Sequence, residues 1–219
     1  MDQLETTDAP AQISLSPEHS WEAAAPILFP VLRHAGTVGL RLDGVANPHD
    51  AAGNVEPLVD DGPGGLVVSY VMAAGGFDVL ANGDHLAAWG ATPAMLRDAS
   101  FRNLAAWSLE APWSEDAADR RRVLSSDTGD GWDASRILLP EVQAHLEREL
   151  GGGTSRVLVG VPAPHLLIAA SLRPEDPEFA GLFADFVLEY AGDSDAEIDR
   201  RVFELRDGRL TVFDPATVA

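Results

Sequence analysis

The chain has 219 residues, with 35 acids against 15 basic residues and a formal net charge of −20. All 15 cations are arginine, and the chain contains neither lysine nor cysteine. These absences exclude disulfides, thiol nucleophiles and thiolate metal sites, and equally Schiff-base, pyridoxal-anchoring and P-loop lysines.

Residues 1–16 are polar with little periodicity, and a flexible N-terminal tail is expected there; residues 17–219 are expected to form a single domain. The apolar run 27–33 is interrupted by Pro30, which suits an edge strand or an extended segment. Residues 43–65 are rich in glycine and proline and predict a long loop, with one extended piece at 56–59. The run 66–72 is apolar on both faces and predicts a central strand. Residues 77–80 return as a second strand after a turn at Ala74-Gly75-Gly76. A short helix follows Asn82 and ends at Gly90. Thr92 then caps a helix that opens with Pro93 and runs to about Ser108.

Residues 109–119 read as an acidic loop, and 121–124 as a strand. Asp133 is expected to cap a helix, and Pro140 either kinks that helix or starts a second segment over 141–150, which Gly151-Gly152-Gly153 stops. Strands at 156–161 and 165–170 flank Pro162-Ala163-Pro164 as a hairpin. A helix opening at 174–177 carries Phe179, Leu182, Phe183, Phe186, Val187 and Tyr190 as an apolar stripe. Asp207-Gly208 predicts a final two-residue hairpin. Three hairpins with helices between them give an antiparallel α+β fold, its sheet built from hairpins and its helices packed mainly on one face.

The densest polar segment is 127–136. Asp127, Asp130 and Asp133 are spaced by three residues among glycines, but the position that a calcium loop fills with a bidentate Glu is Ile137. One reading is a turn in which Asp133 accepts backbone N–H bonds and Arg136 pairs locally. The other is a site for a small ligand or a metal-dependent reaction at Asp130, Asp133, Ser135 and Arg136, with Arg33 and Asn103 nearby. The six histidines form no HExxH pair. His145 and Glu149 share a helix face, which is more often solvated than metal-bound. No cofactor or metal site is signalled.

The charge is spread evenly: residues 1–110 carry 14 acids and 4 arginines, residues 111–219 carry 21 and 11. That distribution suits a surface habit of an arginine-using genome better than an acidic nucleic-acid mimic, which stays open as an alternative. Direct nucleic-acid binding is not expected without a basic stripe. No window approaches the roughly 20 apolar residues of a membrane span. The first residues are acidic where a signal peptide is basic, so a cytoplasmic location is expected.

The stretch Gly129-Asp130-Gly131-Trp132-Asp133-Ala134-Ser135-Arg136-Ile137-Leu138 resembles a DG-aromatic-DASR segment of the YtpQ-like family, bacterial proteins with a domain of unknown function. Phe29-Pro30-Val31-Leu32-Arg33 resembles that family's PVIR strand. Residues 66–70, Ala99 with Asn103-Leu104, and Val159-Gly160-Val161-Pro162 with 166–172 agree in order. The chain departs from the family at its shorter N-terminal region and at Ala163-Pro164-His165, where the family tends to carry an acid. The resemblance implies a cytoplasmic protein and no particular activity. A non-catalytic module with a protein partner is the leading expectation, partly because Trp113 and Trp132 fall in loops.

Overall fold

The computed structural model describes residues 20–74, 78–118 and 121–214. The expected tail at 1–16 and the turn residues Gly75 and Gly76 lie outside them. After α1 (Trp21–Ala24) the chain enters β1 (Leu28–Arg33), which lies at the edge of a five-stranded sheet beside β4 (Val67–Ala73). Pro30 has no N–H to offer a second neighbour, and an edge place asks for none. β2 (Leu40–Arg41) lies just before the expected loop and pairs in parallel with β3 (Leu58–Asp61) inside it, so the extended piece at 56–59 is displaced by two residues. The other side of β4 is divided: β3 pairs with Val67–Ser69 and β5 (Asp78–Leu80) with Val71–Ala73.

The two helix starts expected at Asn82 and Thr92 follow their signals. Asn82 Oδ1 accepts from His85 N at the head of α2 (Gly83–Trp89), and Gly90 closes it at φ 59°. Thr92 Oγ1 accepts from Met95 N at the head of α3 (Pro93–Glu110), which lies against β1. The buried row of α3 is Leu96, Ser100, Leu104 and Ser108, whereas Met95 is partly exposed.

The second sheet is six-stranded and antiparallel, in the order β11-β10-β8-β9-β7-β6. Its strands are β6 (Ser114–Ala118), β7 (Arg121–Ser126), β8 (Arg156–Ala163), β9 (Leu166–Leu172), β10 (Phe203–Arg206) and β11 (Arg209–Val212). β6 corrects the acidic loop expected at 109–119. Its residues are poor strand formers and all exposed; the ladder to β7 and the Glu115–Arg122 ion pair hold it, so pairing overrides local preference. At the last hairpin Asp207 and Gly208 both take positive φ, 51° and 69°, as a primed two-residue turn requires.

Pro140 starts a separate helix, α4 (Pro140–Leu150), rather than kinking one. α4 and α5 (Glu178–Asp193) cover opposite faces of the second sheet. Alternation along β8 shows this: Val157, Val159 and Val161 enter the main core, while Leu158 joins Phe179, Phe183 and Val187 under α5. The main core runs from Ala24 to Leu210 and takes residues from both sheets. The α+β class with largely antiparallel pairing holds, but the strands are divided between two sheets, the β2–β3 pair is parallel, and helices cover both faces of the second sheet rather than mainly one. Among the described residues no helix is long and apolar enough to cross a membrane.

Candidate functional site

The segment after β7 lies between the two sheets. Gly129 and Gly131 take φ of 80° and 83°, which lets the chain reverse into a 3-10 turn at Ala134–Leu138 that touches β1, α3, β8 and β9. Asp133 is fully buried and does not cap that turn. Its carboxylate faces back into the loop, accepting from Ser126 Oγ, from Thr128 N at 3.2 Å and from Thr128 Oγ1 at 2.8 Å. The expected cap is thus replaced by a loop clamp, because Asp133 is already αR and its side chain cannot reach the following N–H groups.

Arg136 is 2% exposed and is the largest of the fully buried side chains. It makes no direct ion pair with Asp133. Instead Nη1 donates to Ser126 Oγ at 2.7 Å, and that hydroxyl donates on to Asp133. Nε donates to Ser108 Oγ at 3.0 Å, and Nη2 to the Ser108 carbonyl at 3.1 Å, with longer bonds to the Ala111 and Pro112 carbonyls. The guanidinium thus ties off carbonyls at the C-terminal end of α3, where a cation also meets the negative end of the helix dipole. It lies over the Trp113 ring, 4.0 Å from the centroid. Burial pushes the Arg136 pKa down to about 10, against the pull of Asp133.

Ser135 and Asn103 act together on β1. Ser135 Oγ accepts from Leu32 N at 3.1 Å, and Asn103 Nδ2 donates to the Ala25 and Leu28 carbonyls at 2.7 and 2.8 Å. With Pro30 between them, the free edge of β1 is blocked at three alternate residues. Asp130 is exposed and accepts from Trp107 Nε1 at 3.1 Å. Arg33 lies elsewhere, donating to Ser69 Oγ, with Asp78 offsetting the burial that lowers its pKa. The fold therefore brings Asp130, Asp133, Ser135 and Arg136 around one turn, adds Asn103 on the same strand edge, and leaves Arg33 apart. Among the described residues no group of three His, Asp or Glu side chains is placed to hold a metal. His145 faces Trp113 and Arg148.

A second polar network has no signal in the sequence. Arg97 grips Asp60 through Nε and Nη2 and reaches Asp43, while Tyr70 donates to Asp60 at 2.6 Å. Burial and the Asp60 carboxylate push the Tyr70 phenol well up.

Outside these locked networks lies a surface pocket of about 400 Å³, lined by His165, Phe186, Glu189, Tyr190, Asp193 and Ser194. It opens between the β8–β9 turn and the C-terminal half of α5. The Ala134 N–H donates to Pro164 O, so the 127–136 segment braces this turn. His165 Nε2 lies 3.0 Å from the Tyr190 hydroxyl, and the Tyr190 ring is 5.9 Å from both the His165 and Phe186 rings. Burial raises the Tyr190 pKa, and the Asp127 carboxylate raises it further. Leu182, Phe186 and Leu188 on α5 are each about half exposed.

The predicted apolar stripe merged two populations: Phe179, Phe183 and Val187 are core, and Leu182 and Phe186 are surface. At 100° per residue the six residues of the stripe span roughly 140°, with Leu182 and Phe186 together at one margin; Leu188, outside the stripe, widens the apolar arc to roughly 240°, more than one packed face uses. The tryptophans expected in loops are packed inward, Trp132 stacked on Phe29 at 4.5 Å and Trp113 on Arg136. No protein-family model, curated protein or solved structure matches the chain.

Proposed function

We propose that the protein is a non-catalytic interaction module of the cytoplasm, related to the YtpQ-like proteins, and that it holds a partner protein on the exposed face of α5. One contrast carries this reading. Asp133, Ser135 and Arg136 of the 127–136 turn point inward and are held by internal hydrogen bonds, while Leu182 and Phe186 face outward beside the pocket. A reactive centre needs groups left free for substrate, and Asp133 and Arg136 are committed to Ser126, Thr128 and Ser108. Apolar side chains exposed next to a concavity are what a protein interface buries at its centre. A net charge of −20 repels a second copy of the chain and attracts a basic partner.

The test is selection of random displayed peptides on the full chain and on a Leu182→Ser/Phe186→Ser variant. Both positions are exposed, so the variant should keep its thermal midpoint within about 2 °C. Peptides that bind the parent and lose the variant support the reading. A selection that enriches nothing, or only peptides indifferent to the variant, refutes it.

A further inference from the structure

We propose that the α5 pocket seats one basic side chain, an arginine or a lysine, of the partner protein. This rests on the interaction-module reading above and gives it a chemistry. Three rings surround the cavity: His165, Phe186 and Tyr190. Aromatic faces carry negative electrostatic potential and attract cations placed over them. Two carboxylates, Glu189 and Asp193, stand on the rim, and the field of Asp127 reaches Tyr190 from the neighbouring loop. The pocket lining includes no arginine, in a chain that pairs many of its arginines with its own acids.

The shape agrees with the charge. The pocket is open on one side, so an entering ammonium or guanidinium keeps part of its hydration, and the desolvation cost of a buried charge is largely avoided. The aliphatic stem of arginine or lysine needs an apolar wall on the way in, and Phe186 with Leu182 one turn earlier supplies it. An apolar residue flanking the basic one in the partner would cover Leu182. A neutral or acidic side chain would gain nothing from the carboxylates.

The experiment titrates four capped peptides, acetyl-Leu-Xaa-Leu-amide with Xaa arginine, lysine, citrulline or norleucine, into the isotope-labelled full chain. Free arginine and a Glu189→Gln/Asp193→Asn variant serve as further arms. The arginine and lysine peptides should shift the resonances of His165, Glu189 and Tyr190, and the two neutral peptides should bind about tenfold more weakly. The double variant should lose about tenfold in affinity for the arginine peptide while its thermal midpoint holds. Equal binding of citrulline, or an unaffected variant, overturns the proposal. Free arginine binding as tightly as its peptide would make this a small-molecule site, and pocket-dependent self-association in sedimentation would make it a dimer contact; either also overturns it. If random peptides lacking any basic residue still require Leu182 and Phe186, only this inference fails. If no peptide of any kind binds the face, the interaction reading fails with it.

Discussion

Replacing Arg136 with Met tests whether the 127–136 turn is a structural clamp. Methionine keeps most of the stem volume and removes every donor. The carbonyls of Ser108, Ala111 and Pro112 then lose their partner at the end of α3, and the Ser126 hydroxyl loses one of its two bonds. Asp133 stays buried with its nearby cation gone. Breaking such an arrangement from one side costs about 3–5 kcal/mol. The figure is a net one, since the variant also sheds the burial penalty that depresses the Arg136 pKa. Urea unfolding read by the fluorescence of the five tryptophans measures it, Trp113 being the one stacked on the guanidinium. The thermal midpoint should fall by about 6–20 °C. Neutralising Asp133 as well, in an Asp133→Asn/Arg136→Met variant, should cost less than the sum of the two single changes by about 1–2 kcal/mol. A loss below about 1 kcal/mol for Arg136→Met, with an unchanged denaturant slope, would refute the clamp and return the turn to candidacy as a reactive site.

Gly160→Ala should destabilise by about 1–3 kcal/mol, because its new methyl would sit 2.5 Å from Val187 Cγ2; Gly160→Ala/Val187→Ala should recover part of the loss in the same urea assay, and no recovery would place the strain elsewhere. The chain has two tyrosines, and in both the folded-state pKa lies above the ordinary 10.0. The folded protein therefore holds its phenolic protons longer than the unfolded chain, and this part of its stability is full below pH 10.0 and lost as pH rises above it. An ultraviolet titration of the Tyr190→Phe protein should show Tyr70 ionising only as the protein unfolds; a reversible midpoint at 10.0 would contradict its buried bond to Asp60. Arg156 pairs with Glu204 through two nitrogens, at 2.9 and 2.6 Å, and lies over Phe213. Lysine cannot grip the carboxylate through two nitrogens while stacking a planar group on the ring, so Arg156→Lys should cost about 1 kcal/mol where the exposed Arg102→Lys costs nothing measurable, and equal melting of the two variants would show the geometry to be immaterial.

Most of the fold was legible where the chain states its own local rules. Asn82 with Gly90, Thr92 with Pro93, and Asp207-Gly208 each fix an end or a turn through atoms a few residues apart, and the structure keeps all three. The elements that were missed are held from outside. β6 has five exposed residues and no strand-forming side chain; it exists because β7 presents an edge and Arg122 meets Glu115. β2 is two residues long and is a strand only because β3 lies beside it. Division of the strands into two sheets is equally invisible locally, since each hairpin looks the same whichever sheet it joins.

The polar segment 127–136 was found for a sound reason, its density of charge, but density does not say which way side chains face. Burial decides that, and burial depends on β1, α3 and the β8–β9 turn closing round the segment. The pocket was hidden for the opposite reason: Leu182 and Phe186 look like core until the sheet beneath α5 has been filled by Phe179, Phe183 and Val187. The absence of lysine takes on a physical sense in the same terms. Arg121, Arg136, Arg156 and Arg201 each lie over an aromatic ring, 4.0–5.3 Å from its centroid, and Arg121, Arg156 and Arg201 also grip a carboxylate through more than one nitrogen. Only a planar, delocalised cation does both at once. A genome's preference for arginine can supply such residues, but the packing now depends on their shape, so lysine could not replace them here without loss.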